Sequence, residues 1–178
     1  MPLAQVYKEP PRYELHNGDI VMMASSSYRH NNVQGNLCMV LRKVVKQGGH
    51  RCKVGLNTDV FLTKDDNFIP DVYISCDRSL HKGGKVHGAP DLVVEVLSSS
   101  TEGRDRGYKK DIYGQCGVKE YWLVDINEQT VEVYLQDNGN LNFTNKHYLS
   151  NKDSFAVSFL DGSVVDLDEV FKDNWRGE

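Results

Sequence analysis

The chain has 178 residues, 39% of them apolar and 26% charged, and a formal net charge of −4. That suits one soluble domain with a proper core and is short for two, and no apolar run approaches the ~18 residues of a membrane span. A module that only grips nucleic acid is ordinarily basic, so the acidic balance counts against that class but not against an enzyme whose acidic site holds metal.

Residues 1–12, with Pro2, Pro10 and Pro11, read as an arm, and their order of charge and apolarity is not that of a secretion signal. Tyr13 to Met23 predicts a hairpin turning at Asn17-Gly18. Ser25, Ser26 and Ser27 offer caps to a helix over 28–45, whose stripe Val33, Leu37, Val40, Leu41 and Val44 has helical period and begins at His30. Cys52 to Leu62 reads as one strand, 65–67 as a turn, and Pro70 to Ser75 as a second strand with Asp71 at its start. The segment 77–88 is polar and glycine-rich and reads as a loop; its Gly-Gly-Lys lacks the spacing of a phosphate-binding loop.

The most informative stretch is Pro90 to Asp125. Leu92, Val93, Val94, Val96 and Leu97 form a strand apolar on both faces, interrupted only by Glu95. A carboxylate there is costly unless it is paired or binds metal. By alternation Asp91 and Glu95 share a face. A helix over 100–116 follows, carrying Asp105, Lys109, Ile112, Tyr113 and Cys116 along one stripe and ending at Gly117. KEYWLVD then supplies a strand parallel to the first, joined to it by a right-handed crossover. Beyond it, 130–135 and 141–148 predict a pair of strands around the turn 137–140. Short strands over 155–159 and 162–165 and a last helix capped by Asp166 complete the chain. Cys38, Cys52, Cys76 and Cys116 include no CxxC pair and read as reduced thiols of a cytoplasmic protein.

The order α-β-β-β-α-β, with Asp71 on the middle strand and Glu95 in the third, resembles the core of the PD-(D/E)XK, or restriction-endonuclease-like, superfamily. More closely, the chain resembles the Uma-two family. The residues concerned are Pro70-Asp71-Val72, then Pro90-Asp91-Leu92-Val93-Val94-Glu95-Val96-Leu97, Asp105-Arg106-Gly107, Lys109 with Tyr113, and Glu120-Tyr121-Trp122-Leu123-Val124-Asp125. Tyr13-Glu14-Leu15, Gly18 and His30 fit its N-terminal part. The implied fold is a mixed α/β (α+β) restriction-endonuclease-like core, with extra β-hairpins at both ends of a single domain, 1–178. The superfamily lysine is expected two residues after Glu95, where this chain has Leu97. The resemblance transfers that role to Lys109 rather than Lys110, which falls off the packed stripe.

What the resemblance implies is a Mg²⁺-dependent endonuclease, with Mn²⁺ able to substitute, that hydrolyses DNA as a homodimer. Asp71 and Glu95 would be direct metal ligands and Asp91 a ligand or its support. Lys109 would orient or deprotonate the attacking water or stabilise charge on phosphorus, and His30 would be an accessory. Two other readings compete: a binding module on a retired nuclease fold, and a metal-dependent hydrolase of other phosphoesters. No membrane partner is expected.

Overall fold

The computed structural model describes residues 12–136 and 143–172; the predicted turn at 137–140 and nearly all of the predicted arm lie outside them. The first elements are β1 (Tyr13–His16), β2 (Asp19–Met22) and α1 (Tyr28–Gln47), followed by β3 (Lys53–Leu56), β4 (Val60–Phe61), β5 (Asn67–Phe68) and β6 (Val72–Ser75). After β7 (His81–Lys82), β8 (Lys85–His87) and β9 (Leu92–Val96) comes one helical run: α2 (Glu102–Arg104), a π turn (Asp105–Lys109) and α3 (Lys110–Cys116). The chain goes on through β10 (Glu120–Asp125), β11 (Thr130–Gln136), β12 (Phe143–Ser150), β13 (Ser154–Ala156), β14 (Val164–Asp166) and α4 (Leu167–Phe171).

The central sheet has the order β12-β11-β10-β9-β6-β3. β9 and β10 are parallel and joined by the helical run, whereas β6 is antiparallel to both its neighbours. All five residues of β9 are buried, as a strand covered on both faces requires. On one face Leu92, Val94 and Val96 pack with Val33, Leu37, Leu41 and Val44 of α1. On the other, Val93 and Leu97 pack with Tyr113, Val118, Tyr121 and Phe68. Burying a side chain of this size removes it from water at a gain of about 1.5–3 kcal/mol, so this two-sided core fixes where both helices lie. A second sheet, β2-β1-β5-β4-β8-β7, lies with Phe68 of β5 in the second core, beside the helical run.

Local signals were followed closely at the caps. The Ser27 side chain accepts the His30 N–H as the α1 cap, Asp166 caps α4, and Gly117 ends α3 at φ 93°, where a side chain would be strained. Three predictions need correction. The single strand expected over 52–62 is two strands in different sheets, broken at Asn57, which takes φ 50° while its N–H bonds to the Pro70 carbonyl. The loop expected over 77–88 contains the hairpin β7–β8, turned by Gly83-Gly84 at φ 59° and 78°.

Third, Cys52 and Cys76 form a disulfide, so these two are not the reduced thiols expected; Cys38 and Cys116 are free. β3 pairs antiparallel with β6 through Lys53↔Ser75. The next step outward in that register sets Cys52 against Cys76. Spacing along the chain carries no sign of this pairing. Among the described residues no helix is long and apolar enough to cross a membrane.

Candidate active site

Glu95 points from β9 toward the helical run. Its Oε1 lies 2.7 Å from Lys109 Nζ and accepts the Tyr113 hydroxyl at 3.0 Å. Lys109 and Tyr113 are one helical turn apart, so a single helix face delivers both to one carboxylate oxygen. Lys109 Nζ also stands 3.1 Å from Glu14 Oε1 and 3.5 Å from Asp105 Oδ1. Glu14 comes from β1, and its carboxylate further accepts the Ile69 N–H at 2.8 Å and lies 2.9 Å from His16 Nε2. The π turn runs from Asp105 to Lys109, and such widened turns recur at functional sites.

Asp71 precedes β6. Continuing the β6–β9 register one step beyond Val72↔Val94 sets it beside Glu95. The Val96 N–H donates to Asp71 Oδ2 at 2.7 Å, and Gln34 Nε2 donates to Oδ1 at 3.2 Å. His30 Nε2 is 3.4 Å from Asp71 Oδ2 and 3.1 Å from the Val96 carbonyl. His30 and Gln34, one turn apart near the start of α1, therefore hold Asp71 from the opposite side of the sheet edge.

The charges respond to one another. Burial opposes the charge on Lys109, yet Glu95, Glu14 and Asp105 together raise its pKa above the ordinary lysine value, so it is an ammonium at any physiological pH. Burial likewise opposes ionisation of Glu14, but Lys109, His16 and the Ile69 N–H hold its carboxyl at about 2. Glu95 goes the other way: burial, and then repulsion from Asp105, Asp71 and Glu14, raise its pKa well above the usual range despite Lys109. Burial also raises Asp105. For His30, burial is outweighed by Asp71 and the Val96 carbonyl, and its pKa is raised.

Glu14, His30, Asp71, Glu95, Asp105 and Lys109 line a cleft of about 1030 Å³ open to solvent. At the floor of the cleft four acidic groups (Glu14, Asp71, Glu95 and Asp105) surround one ammonium and one imidazole, and a bound cation would favour their ionised forms. Among the described residues no three or more His, Cys, Asp or Glu form a metal cage. Asp71 and Glu95, set side by side by the strand register, are hard oxygen donors of the kind that hold a divalent cation together with waters.

The structure thus brings together Asp71, Glu95, Lys109 and His30, and it leaves Asp91 out. Asp91 lies four strand residues from Glu95, about 13 Å along the strand. It accepts the Cys76 N–H at 2.7 Å and pairs with Lys119 at 2.7 Å, and it does not line the cleft. Lys110 turns away to the Tyr134 ring. Sequence reasoning missed Glu14 and Gln34, whose roles depend on which element each one meets in space. Asp105 and Tyr113 stood on the predicted stripe; Asp105 lies beside Lys109, and Tyr113 both packs in the core and bonds Glu95.

The sheet order and crossover are those of the restriction-endonuclease-like class. A crystal structure described as "a putative nuclease belonging to DUF820", from Anabaena variabilis, superposes with a TM-score of 0.74 over 94% of each chain at 20% identity, which speaks to the fold. The model of the Uma2 family, described as "Putative restriction endonuclease", matches residues 3–168, and the chain belongs to that family. It is also 30% identical over 164 residues to the uncharacterized protein slr1290 of Synechocystis sp., covering 86% of this chain and 85% of that one.

Proposed function

We propose that this protein is a metal-dependent endonuclease that hydrolyses DNA phosphodiester bonds, with Mg²⁺ as its ion and Mn²⁺ as a substitute. The observation that carries this reading is the convergence of Lys109 and Tyr113 on Glu95 beside Asp71, at the floor of an open cleft. Asp71 and Glu95 would hold the ion. Bound there, a divalent ion supplies Lewis-acid activation of a water and neutralises charge developing on phosphate.

The chain's own groups do the rest. Lys109, kept charged by three carboxylates, stabilises the negative charge that builds on the phosphoryl oxygens and does not act as a base. Glu14 and Asp105 hold it in place. Tyr113 fixes the Glu95 carboxylate, and His30 and Gln34 fix Asp71. Cutting both strands of a duplex calls for two such sites, hence a homodimer. Asp91 belongs to the frame rather than to the chemistry.

Incubation of supercoiled plasmid with Mg²⁺, Mn²⁺ or EDTA tests the reading. Metal-dependent nicking is expected, reduced by about 10²-fold or more in Glu95→Gln and Asp71→Asn variants whose circular dichroism is unchanged. If neither ion supported cleavage of plasmid, single-stranded DNA, RNA or nucleotides, the retired-fold reading would replace it.

A further inference from the structure

The charge in the cleft is sorted by depth. Glu14, Glu95, Asp105 and Lys109 are all buried at its floor, with Asp71 half-buried beside them. At the rim stand three guanidinium groups, Arg12, Arg29 and Arg104, and among the described residues no carboxylate lines the cleft besides the four of the floor. The three arginines come from distant parts of the chain: the entry to β1, the first turn of α1 and the start of the helical run. Arg12 and Arg29 are exposed and Arg104 is half-buried.

None of the three forms an ion pair among the described residues. Each is steadied by a backbone carbonyl instead: Arg12 donates to Asn57 at 2.7 Å, Arg104 to Ser100 at 3.2 Å and Arg29 to Ile126 at 3.5 Å. A carbonyl aims a guanidinium without neutralising it, and leaves most of its five donors free. Arg106 shows the contrast: it is consumed by Glu102 and Glu132. Arg29 also occupies the first turn of α1, where a cation opposes the helix dipole, so it does not serve the helix. On a chain of net charge −4, three unneutralised arginines around one opening are a local attractor for a polyanion.

We infer that Arg12, Arg29 and Arg104 form a phosphate clamp that grips the nucleic-acid backbone on either side of the phosphodiester presented to the floor. The inference rests on the nuclease reading and adds how the strand is held: by backbone charge, independently of base sequence. The fork of each guanidinium suits two phosphate oxygens at once.

The test is binding without cleavage. Labelled duplexes and single strands of unrelated sequence are titrated by fluorescence anisotropy, in EDTA, over a series of salt concentrations. The wild type should bind all sequences alike, with affinity falling as salt rises. Each of Arg12→Ala, Arg29→Ala and Arg104→Ala should weaken binding equally across sequences and flatten the log–log salt slope by roughly 1 for duplex and less for single strands. Arg29→Lys should restore most of the slope. Arg78→Ala, which alters an exposed arginine away from the cleft, should leave it unchanged.

Unchanged slopes in all three variants, or no binding by the wild type, would overturn the clamp. The same preparations are assayed on plasmid with Mn²⁺, which separates the two ideas. Nicking that persists with unchanged slopes removes the clamp and keeps the nuclease. Slopes that flatten in a protein that cuts nothing keep the clamp and remove the nuclease.

Discussion

Glu14 and Lys109 stand 95 positions apart in the chain and 3.1 Å apart in space, both buried. The contact ties the first hairpin to the helical run and divides the lysine's charge between Glu14 and Glu95. Glu14 therefore decides how much of Lys109 is available to the cleft.

Replacing Lys109 by Met should be severe. It leaves three carboxylates around one buried point without a counter-charge, and breaking such a cluster costs about 3–5 kcal/mol. Urea denaturation at pH 7 should show that loss. Part of it should return as the pH is lowered, because protonation of Glu95 and Asp105, whose pKa values are raised, relieves the repulsion.

Glu14 should govern acid stability. Its carboxyl falls from 4.5 unfolded to about 2 folded, so its contribution is present above pH 4.5 and lost as the pH falls through about 2. At about 1.4 kcal/mol per unit this is on the order of 3 kcal/mol. Urea midpoints measured between pH 5 and 2 should decline less steeply in Glu14→Gln than in the wild type. Turnover of the variant should also fall, with little change in the KM for DNA, because Lys109 loses its anchor.

Metal binding should release protons. The raised pKa of Glu95 means that a proton competes with a cation for that carboxylate, so affinity should rise as pH rises. Calorimetric titration with Mn²⁺ at pH 6 and 8, in buffers of different ionisation heat, should show tighter binding and less proton release at pH 8. In Glu95→Gln both the binding and its pH dependence should be reduced. Titrations identical in the two proteins would remove Glu95 from the site.

Asp91 tests whether the frame and the proposed chemistry are separate. Asp91→Ala removes the acceptor for the Cys76 N–H and the Lys119 pair and should lower the melting temperature. Its Mn²⁺ affinity should stay within about twofold of the wild type, since the carboxylate is about 13 Å along the strand from Glu95. A loss of affinity like that of Asp71→Asn would return Asp91 to the metal site.

The disulfide can be counted. In denaturant without reductant two thiols per chain should react, Cys38 and Cys116, and four after reduction. Closing a loop of 24-residue separation restricts the unfolded chain by about 3 kcal/mol, so Cys52→Ser should lower the unfolding free energy by a comparable amount, read from its urea midpoint and m-value. Four reactive thiols before reduction would refute the pairing.

What could be read from the sequence was what local chemistry dictates. Glu95 stood out because it interrupts an apolar strand; Lys109 lay on the same helical stripe as Tyr113, and its role was implied by the resemblance to the Uma-two family. The Ser27 cap and the Gly117 stop are written in single residues. What was hidden depends on partners across space: that Cys52 meets Cys76 follows from strand register, and that Glu14 reaches Lys109 follows from how the second sheet docks. Asp91 illustrates the limit of alternation. It shares a predicted face with Glu95, yet it sits just before the strand begins and turns to the Cys76 N–H.

The two ends of β6 divide the labour of the molecule. At one end Asp71 faces the cleft; at the other the Cys52–Cys76 bridge, Asp91 and Lys119 bind three strands and the approach to β10 together. The covalent bond is thus remote from the reacting groups by the length of a strand. A change in the redox state of the surroundings would act first on the junction of β3 with β6, a strand's length from the groups that line the cleft.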